Sequence, residues 1–364
     1  MSELVLYRKH RPARFQDVVG QDHVTSVIKN AIETGRVAHA YLFAGPRGVG
    51  KTTVARLIAK SLNCTDKKNR PCNTCGLCAD FNTGSSPDII EIDAASNRGI
   101  DQIRELREAV HFVPVKGSYK IYIVDEFHML TKEAFSAFLK TLEEPPSHVV
   151  FILATTELEK VPATVISRTQ KYVFRRPTPL QIAYRLSQIV KKESAAIEDG
   201  AAHLIALAAE GSMRDAESIL GQVMAVQDGA IARSEVEKIL GLPPRQAAKE
   251  LFSYVAKKDA PHALSLIQRL SEAGHDTHYV AKLLMRYWRT ALFLKTDPGL
   301  EEFLAEEFLP DEMECIKANL PLMTREGIAR GVEILFDNLQ RFRTSPIPQL
   351  PLELAVVAMA NLSP

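Results

Sequence analysis

The stretch AYLFAGPRGVGKTTVARLIAKSLN, residues 40–63, decides the fold of the first part of the chain. It predicts a short apolar strand, then the motif G-x-x-x-x-G-K-T, then a helix with one apolar face, which is the context that a phosphate loop requires. The glycines allow the backbone to wrap phosphates with its N–H groups, and the helix N-terminus adds a favourable dipole. We therefore expect a nucleoside triphosphate site formed by Gly45, Pro46, Arg47, Gly48, Val49, Gly50, Lys51, Thr52 and Thr53.

Two acids further along the chain complete this expectation. The stretch YKIYIVDEFHML, residues 119–130, predicts an apolar strand that ends in Asp125 and Glu126. Lys51 should reach the β- and γ-phosphates, while Thr52 and Asp125 should hold Mg²⁺. Glu126 should orient or deprotonate the attacking water. These residues predict hydrolysis of the bound nucleotide.

A third predicted strand, HVVFILATTE at residues 148–157, ends in two threonines. Thr155 or Thr156 could place a hydroxyl beside the γ-phosphate or its water, although threonine is also common in strands. We take Thr155 as a candidate catalytic residue. His128, which follows the acidic pair, is assigned no role.

Four of the five cysteines lie close together, in the pattern C-x7-C-x2-C-x2-C: Cys64, Cys72, Cys75 and Cys78. In a reducing cytosol such a cluster more often holds a metal than forms disulfides. Four thiolates would complete a tetrahedral Zn²⁺ shell, which is a structural site. The alternative is an iron–sulfur cluster, because C-x2-C-x2-C also occurs in ferredoxins, but the C-x3-C-P continuation is absent. Cys315 stands apart and is expected to be a small core residue.

Composition narrows the class of protein. Lys plus Arg number 45 and Asp plus Glu number 44 among 364 residues, so binding to nucleic acid would need a local basic surface. No apolar run approaches the roughly 18 residues that span a bilayer, and the N-terminus lacks the apolar region of a secretory signal. We expect a cytoplasmic protein that does not enter a membrane.

The order of predicted elements indicates an α/β part followed by an all-α part. Strands alternate with helices through about residue 176, which predicts a parallel sheet with helices on both faces and a nucleotide at the carboxyl ends of the strands. After RRPTPLQ the strand signal gives way to short helices, and GLPPRQ marks a second break. We predict three domains: a nucleotide-binding domain (1–178) with a metal-binding insertion at about 64–78, a helical lid (179–242) and a helical domain (243–364).

An ordered set of motifs spans essentially the whole chain: YRKHRPARFQDVVGQDHV, GPRGVGKTT, the cysteine pattern, DEFHMLTKEAFSAFLKTLEEPP, the SRT triplet at 167–169 and GSMRDAES. Together they resemble the bacterial DNA polymerase III gamma/tau subunits, the ATPases of the sliding-clamp loader. The resemblance implies an AAA+ ATPase with a zinc module, a lid and a helical collar through which subunits assemble. The long extension of tau has no counterpart in these 364 residues.

The resemblance also implies roles for single residues. Arg11, Pro12 and Val19 match positions on the adenine and ribose side of the site. Arg168 of the SRT triplet matches the arginine finger that completes a neighbouring subunit's site. Arg214 matches the lid arginine that senses the γ-phosphate.

Two further positions, Arg98 and Lys140, match basic DNA contacts of the family, although each alone would be an ordinary solvated charge. The chain departs from the family at Thr169, where cysteine is common, and at Phe127, where a small β-branched residue is more frequent. Because the neighbouring Arg168 is retained, we expect no change of function from the first departure. The second should affect packing only.

The implied function is that of a motor within the DNA polymerase III holoenzyme. ATP and Mg²⁺ binding would drive clamp opening and engagement of primer–template DNA, and hydrolysis would release the loaded clamp. The implied partners are delta- and delta-prime-type subunits, further copies of the chain and the sliding clamp. Two alternatives are a non-hydrolysing structural subunit, disfavoured by the complete set of catalytic residue types, and a branch-migration helicase, disfavoured by the cysteine insertion.

Overall fold

The computed structural model describes residues 5–226, 229–241, 245–304, 308 and 310–362. Contacts between Cα atoms divide the chain into two units, Met1–Arg233 and Ser234–Pro364. The first unit contains a parallel sheet and helices, and the described part of the second is all helical. The predicted order, an α/β part with a parallel sheet followed by an all-α part, is confirmed.

Within the described residues, the first unit contains one sheet of five parallel strands in the order β2-β3-β4-β1-β5. The strands are β1 (Ala40–Ala44), β2 (Ile89–Asp93), β3 (Lys120–Asp125), β4 (Val149–Thr155) and β5 (Gln170–Val173). Strands β1 and β4 are buried along their whole length, as expected for central strands covered by helices on both faces. Their carboxyl ends lie side by side, since Ala44 pairs with Thr155.

Helices α2 (Asp22–Glu33) and α3 (Lys51–Leu62) cover one face of the sheet, and α5 (Ile100–Ala109) and α6 (Lys132–Glu143) cover the other. The shorter helices of this part of the chain are α1 (Leu6–Lys9), α4 (Gly76–Thr83) and α7 (Ala163–Ile166). Successive residues of β3 point to opposite faces. Ile121 belongs to the core shared with α2 and α3, and Tyr122 to the core shared with α5 and α6. These two cores fix the phosphate loop, between β1 and α3, at the carboxyl edge of the sheet.

Four helices follow the sheet: α8 (Pro179–Lys192), α9 (Asp199–Ala208), α10 (Met213–Val226) and α11 (Arg233–Ile239). The break predicted at RRPTPLQ is the start of α8, where Thr178 and Gln181 form a capping box and Pro179 occupies the first turn. In the described parts of residues 179–241 we find no strand, only a single bridge between Ile197 and Ile231.

The second unit contains α12 (Arg245–Ala256), α13 (Ala260–Glu272), α14 (Thr277–Thr296), α15 (Glu301–Leu304), α16 (Pro310–Asn319), α17 (Arg325–Arg341) and α18 (Leu350–Ala360). Trp288 is 3% exposed and packs in the core of this unit. Its ring lies so close to Gly331 that a Cβ there would be 2.9 Å away. Cys315 packs partly buried against the same core.

The predicted domain boundary at 178/179 stays a prediction, and the one at 242/243 lies outside the described residues. Among the residues that the structure describes, no helix is both long enough and apolar enough to cross a membrane.

Candidate nucleotide and metal sites

A cavity of about 520 Å³ lies at the carboxyl edge of the sheet in the first unit. Its walls come from the N-terminal segment, the phosphate loop, the ends of β2 and β3, and helices α8 and α10. The structure brings most of the predicted site residues together here: Arg11, Pro12, Val19, Arg47, Gly48, Val49, Gly50, Lys51, Thr52, Thr53, Asp125, Glu126 and Arg214 all line the cavity.

The loop glycines adopt backbone conformations that other residues avoid. Gly45, Gly48 and Gly50 have φ values of 153°, 76° and 103°. A Cβ on Gly48 would lie 2.0 Å from Oγ of Ser212, and one on Gly45 would lie 2.5 Å from the carbonyl oxygen of Phe174. The loop is therefore packed closely between the end of the sheet and the start of α10, where only glycine fits.

Lys51 is buried at the phosphate end of the cavity, with 6% of its surface exposed. Its Nζ donates hydrogen bonds of 2.7 Å to the carbonyl oxygens of both Gly45 and Pro46. Burial lowers the pKa of the ammonium group, and the charges of Glu126 and Asp125 oppose that shift. A negatively charged ligand would act in the same direction as these acids and stabilise the ammonium.

Thr52 and Asp125 form the expected oxygen pair. Thr52 Oγ1 donates to Asp125 Oδ2 at 2.7 Å, and the other carboxylate oxygen accepts from the backbone N–H of Glu126 at 2.9 Å. A hydroxyl and a carboxylate beside a phosphate loop are ligands that Mg²⁺ prefers. These two side chains could hold the ion.

Glu126 is the candidate base, and it lies in the left-handed region at φ 47°. Strained backbone of this kind is often found at functional sites. Its Oε2 accepts a 3.0 Å hydrogen bond from Thr156 Oγ1 and lies 3.5 Å from Nδ1 of His128. The carboxylate is thus held by two neighbours that sequence reasoning had not assigned to it.

Thr155 does not line the cavity. It is fully buried, and its Oγ1 accepts from the backbone N–H of Glu157 at 3.0 Å and lies 3.0 Å from His128 Nδ1. His128, whose side chain is 5% exposed, also lies 3.1 Å from a Glu157 oxygen through Nε2. The threonine that meets Glu126 is Thr156, one residue further on.

Sequence reasoning missed several residues of the cavity, among them Tyr7, Arg185 and Glu217. The Arg214 guanidinium lies over the Tyr7 ring at 4.8 Å, and hydrogen bonds from Arg8 and Arg214 lower the pKa of Tyr7. The sequence offered one signal for Glu217. It lies three residues after Arg214, so a helix places both side chains on the same face.

Three predicted residues lie on the surface and away from this cavity. Arg168 pairs with Glu143 at 2.9 Å and also donates to the carbonyl oxygen of Thr164. Arg98 and Lys140 are exposed, the latter on α6. Arg98 donates through Nε to the carbonyl oxygen of Ala95 at 2.8 Å.

The two positions that depart from the family pattern, 127 and 169, make local packing and hydrogen-bond contacts. Phe127 is fully buried and stacks edge-on against Phe135 and Phe138. Thr169 Oγ1 donates to the carbonyl oxygens of Val165 and Ile166 in the preceding turn.

The four clustered cysteines converge at the end of α3 and the start of α4, with all Sγ atoms within 4.8 Å of one another. Backbone N–H groups of Cys72 and Cys75 donate to neighbouring sulfurs at 3.4 and 3.3 Å. Tetrahedral Zn²⁺ with Zn–S bonds of about 2.3 Å separates its sulfurs by about 3.8 Å, close to the 3.9 Å between Cys72 and Cys78. The cluster therefore fits a single ion better than a larger iron–sulfur core.

Comparison with known families gives this geometry a context. Models named DNA polymerase III, delta subunit; DNA polymerase III clamp loader subunit, ATPase lid domain; and DNA polymerase III subunits gamma and tau domain III match residues 20–178, 181–229 and 231–364. DNA polymerase III subunit gamma of Buchnera aphidicola subsp. Acyrthosiphon pisum is 33% identical over 362 residues, 99% of each chain. The chain belongs to the DNA polymerase III gamma/tau family.

Longer members of the gamma/tau family are similar as well. DNA polymerase III subunit tau of Bacillus subtilis is 40% identical over 364 residues, which is all of this chain and 64% of the relative. The tau subunit of Escherichia coli is 43% identical over 275 residues, 75% of this chain and 43% of the relative. The chain thus spans less than two thirds of these two relatives.

Solved structures give weaker likenesses. The Thermotoga maritima RuvB Holliday junction branch migration motor is 18% identical with a TM-score of 0.48, over 67% of this chain and 78% of that one. The Bacillus subtilis clamp loader delta protein is 16% identical with a TM-score of 0.39, over 93% and 99%.

Proposed function

We propose that this gamma/tau-family chain is an ATP-hydrolysing subunit of the bacterial sliding-clamp loader. In this proposal ATP binding drives clamp opening and engagement of primer–template DNA, and hydrolysis releases the loaded clamp. The observation that carries the proposal is the convergence of Lys51, Thr52, Asp125 and Glu126 on one cavity. A non-hydrolysing scaffold would not need all four.

Each group has a distinct task in this proposal. The buried Lys51 ammonium offsets phosphate charge in surroundings where electrostatic attraction is stronger than in water. Thr52 and Asp125 would hold Mg²⁺, which would supply positive charge beside the phosphates. Glu126 orients the attacking water and accepts its proton, for which its Oε2 must be released from Thr156 or its other oxygen used.

Arg168 is proposed to act on the site of a neighbouring subunit. It does not line the cavity of its own chain, and it is held at the surface by Glu143 and a backbone carbonyl. A surface arginine can approach another protomer's γ-phosphate, where such a group contributes roughly 10³–10⁵ in rate. Assembly would then switch hydrolysis on.

The proposed partners are delta- and delta-prime-type subunits, further copies of this chain, the sliding clamp and primer–template DNA. Arg98 and Lys140 are proposed DNA contacts because both are exposed and cationic. Such phosphate contacts add affinity without reading sequence. A cytoplasmic location suits the free thiols of the chain.

The four cysteines are proposed to hold one structural Zn²⁺. Four sulfur ligands leave no open position for chemistry, and a metal can stabilise a segment too small for its own core. Elemental analysis should find one zinc per chain. Iron, or no metal in protein prepared without chelator, would contradict this assignment.

The test of the whole proposal is ATP hydrolysis by the chain assembled with its partners, measured with and without clamp and primer–template DNA. Hydrolysis that rises when both are present would support a clamp-loading motor. ATP binding without turnover under any condition would favour the structural-subunit alternative. Stimulation by branched DNA in the absence of clamp would favour a branch-migration motor.

A further inference from the structure

One wall of the nucleotide cavity carries a carboxyl group that has no partner among the described residues. This is Glu217 of α10, which lines the cavity and is 6% exposed. Within the described part of the chain its carboxyl group makes no hydrogen bond or ion pair. A carboxyl group in a cavity wall that lacks a protein partner can bond to the molecule that occupies the cavity.

The charges that act on Glu217 differ from those that act on Lys51, and they define an end of the cavity toward α8 and the N-terminal segment. The acids that act on Lys51 are Glu126 and Asp125, whereas the charges that act on Glu217 are those of Arg185 and Arg11. Glu217 is therefore separate from the groups that bind phosphate and perform hydrolysis.

Neither arginine neutralises the carboxyl group by direct contact. Arg185 is itself buried and donates through Nη2 to the carbonyl oxygen of His10 at 3.0 Å. Arg11 also lines the cavity, and burial lowers the pKa of its guanidinium group. Glu217 thus keeps its hydrogen-bonding capacity for whatever occupies the cavity.

The remaining wall at this end is apolar and suits a flat ring. Pro12, Val18 and Val19 of the N-terminal segment line the cavity, and Val18 is 5% exposed. Small-molecule sites typically combine such apolar walls with a few polar groups that set orientation. A purine ring between these walls would present its edge to a polar group.

We propose that Glu217 hydrogen-bonds the 6-amino group of adenine and the ring nitrogen beside it. This inference rests on the proposed ATP site and adds the group that recognises the base. A neutral carboxyl group matches that edge, because its carbonyl oxygen accepts from the amino group and its O–H donates to the ring nitrogen.

The protonation state of Glu217 fits this pairing. Burial raises the pKa of its carboxyl group to about 7, although Arg185 and Arg11 oppose the shift. Below this pKa the group is neutral and can donate. Above it the carboxylate only accepts, and it faces the lone pair of the ring nitrogen. The ATP affinity that comes from the bond to the ring nitrogen should therefore be present at low pH and be lost as pH rises through about 7, whereas the bond from the 6-amino group remains.

Other titratable or charged groups line the cavity from the elements packed around Glu217. They are Tyr7 of α1, Arg11 and Asp17 of the N-terminal segment, Arg185 of α8 and Arg214 of α10. Helix α9 also packs against α10, but it contributes none of the residues that line the cavity. Glu217 is the group expected to titrate near neutrality at this end.

The experiment compares ATP with its 1-deaza analogue, in which a C–H group replaces only the ring nitrogen beside the 6-amino group. Both nucleotides carry the same phosphates, so the ratio of their dissociation constants cancels phosphate titration. Wild-type chain should prefer ATP by about three- to tenfold at pH 6, the effect of one hydrogen bond, and lose this preference by pH 8.5. Glu217→Gln should keep the preference at both pH values, because an amide donates and accepts without titrating.

Glu217→Leu should bind both nucleotides with equal affinity at every pH. Asp215→Asn, an exposed change on the same helix, should behave as wild type. A wild-type preference that is unchanged in Glu217→Leu would overturn the inference, as would equal weakening of both nucleotides, which would indicate a ribose contact or a misfolded cavity. If wild-type chain bound neither nucleotide, the proposed ATP site itself would be wrong.

Discussion

Replacing Gly48 by alanine tests the packing of the phosphate loop against α10. Gly48 has φ 76°, and a Cβ there would lie 2.0 Å from Oγ and 3.0 Å from Cβ of Ser212. Gly35 is a matched control, since its φ is 72° and a Cβ there would meet nothing within 4 Å. The two substitutions share the backbone cost and differ in the steric cost.

The expected magnitude has two parts. Placing alanine in the left-handed region costs roughly 1–2 kcal/mol at either glycine. At Gly48 the Ser212 hydroxyl must also move, and it then loses its 3.3 Å hydrogen bond from the N–H of Asp215 at the start of α10, a helix-cap contact of about 1 kcal/mol. The loop can relax when empty, so most of the resulting sum, about 2–3 kcal/mol, should appear as weaker ATP binding, about 30- to 150-fold.

The assay is ATP affinity by calorimetric or fluorescence titration, with thermal unfolding to check that each variant folds. Gly48→Ala should bind ATP about 30- to 150-fold more weakly, and Gly35→Ala should bind as wild type. In a Ser212→Ala background the cap is already absent, so adding Gly48→Ala should cost about fivefold less than it does in wild type, a coupling of about 1 kcal/mol.

Two results would refute this reasoning. Equal ATP affinity in the Gly48 and Gly35 variants would mean that the loop does not bind phosphate in this conformation. Full additivity of the Gly48 and Ser212 substitutions would mean that the two residues do not meet in the nucleotide-bound protein.

The other predictions concern hydrolysis and DNA. Lys51→Ala should abolish tight ATP binding, whereas Glu126→Gln should bind ATP and hydrolyse it slowly; titration and turnover measurements separate the two, and normal behaviour of both variants would exclude this site. Arg168→Ala chains should regain hydrolysis when mixed with Lys51→Ala chains, because some interfaces then pair an intact loop with an intact finger; mixtures that assemble but stay inactive would contradict action in trans. Neutralising Arg98 and Lys140 together should weaken DNA binding for all sequences and flatten its salt dependence; unchanged DNA-stimulated hydrolysis would argue against these contacts.

The parts of the site that could be predicted are those whose geometry is set by local sequence. The phosphate loop lies between a strand and a helix that are its immediate neighbours, and the four cysteines lie within one short segment. The acidic pair follows a strand whose apolar pattern is unambiguous. In each case few residues separate the side chains, so spacing alone constrains their positions.

The roles of the two threonines at the end of β4 could not be assigned from the sequence. Successive residues near a strand end point to opposite sides, so a one-residue difference decides which hydroxyl meets Glu126. Thr155 is the last residue of β4 and is buried, while Thr156 lies just beyond it and contacts Glu126. His128 lies beside Thr155 and Glu126 because the backbone at Glu126 adopts the left-handed conformation. The order of residues in the sequence does not predict that conformation.

Helix α10 connects the two ends of the cavity. The N–H of Met213 donates to the carbonyl oxygen of Gly48 at 3.1 Å, while Glu217, one turn further on, lies at the end that is expected to hold the base. The Gly48 substitution should weaken ATP and its 1-deaza analogue by the same factor, because it disturbs only contacts to phosphate. Glu217→Leu should instead remove the difference in affinity between the two nucleotides at pH 6. If Gly48→Ala also changed their ratio, displacement of the loop would have to reach Glu217 through α10, and the two ends could not be treated as independent.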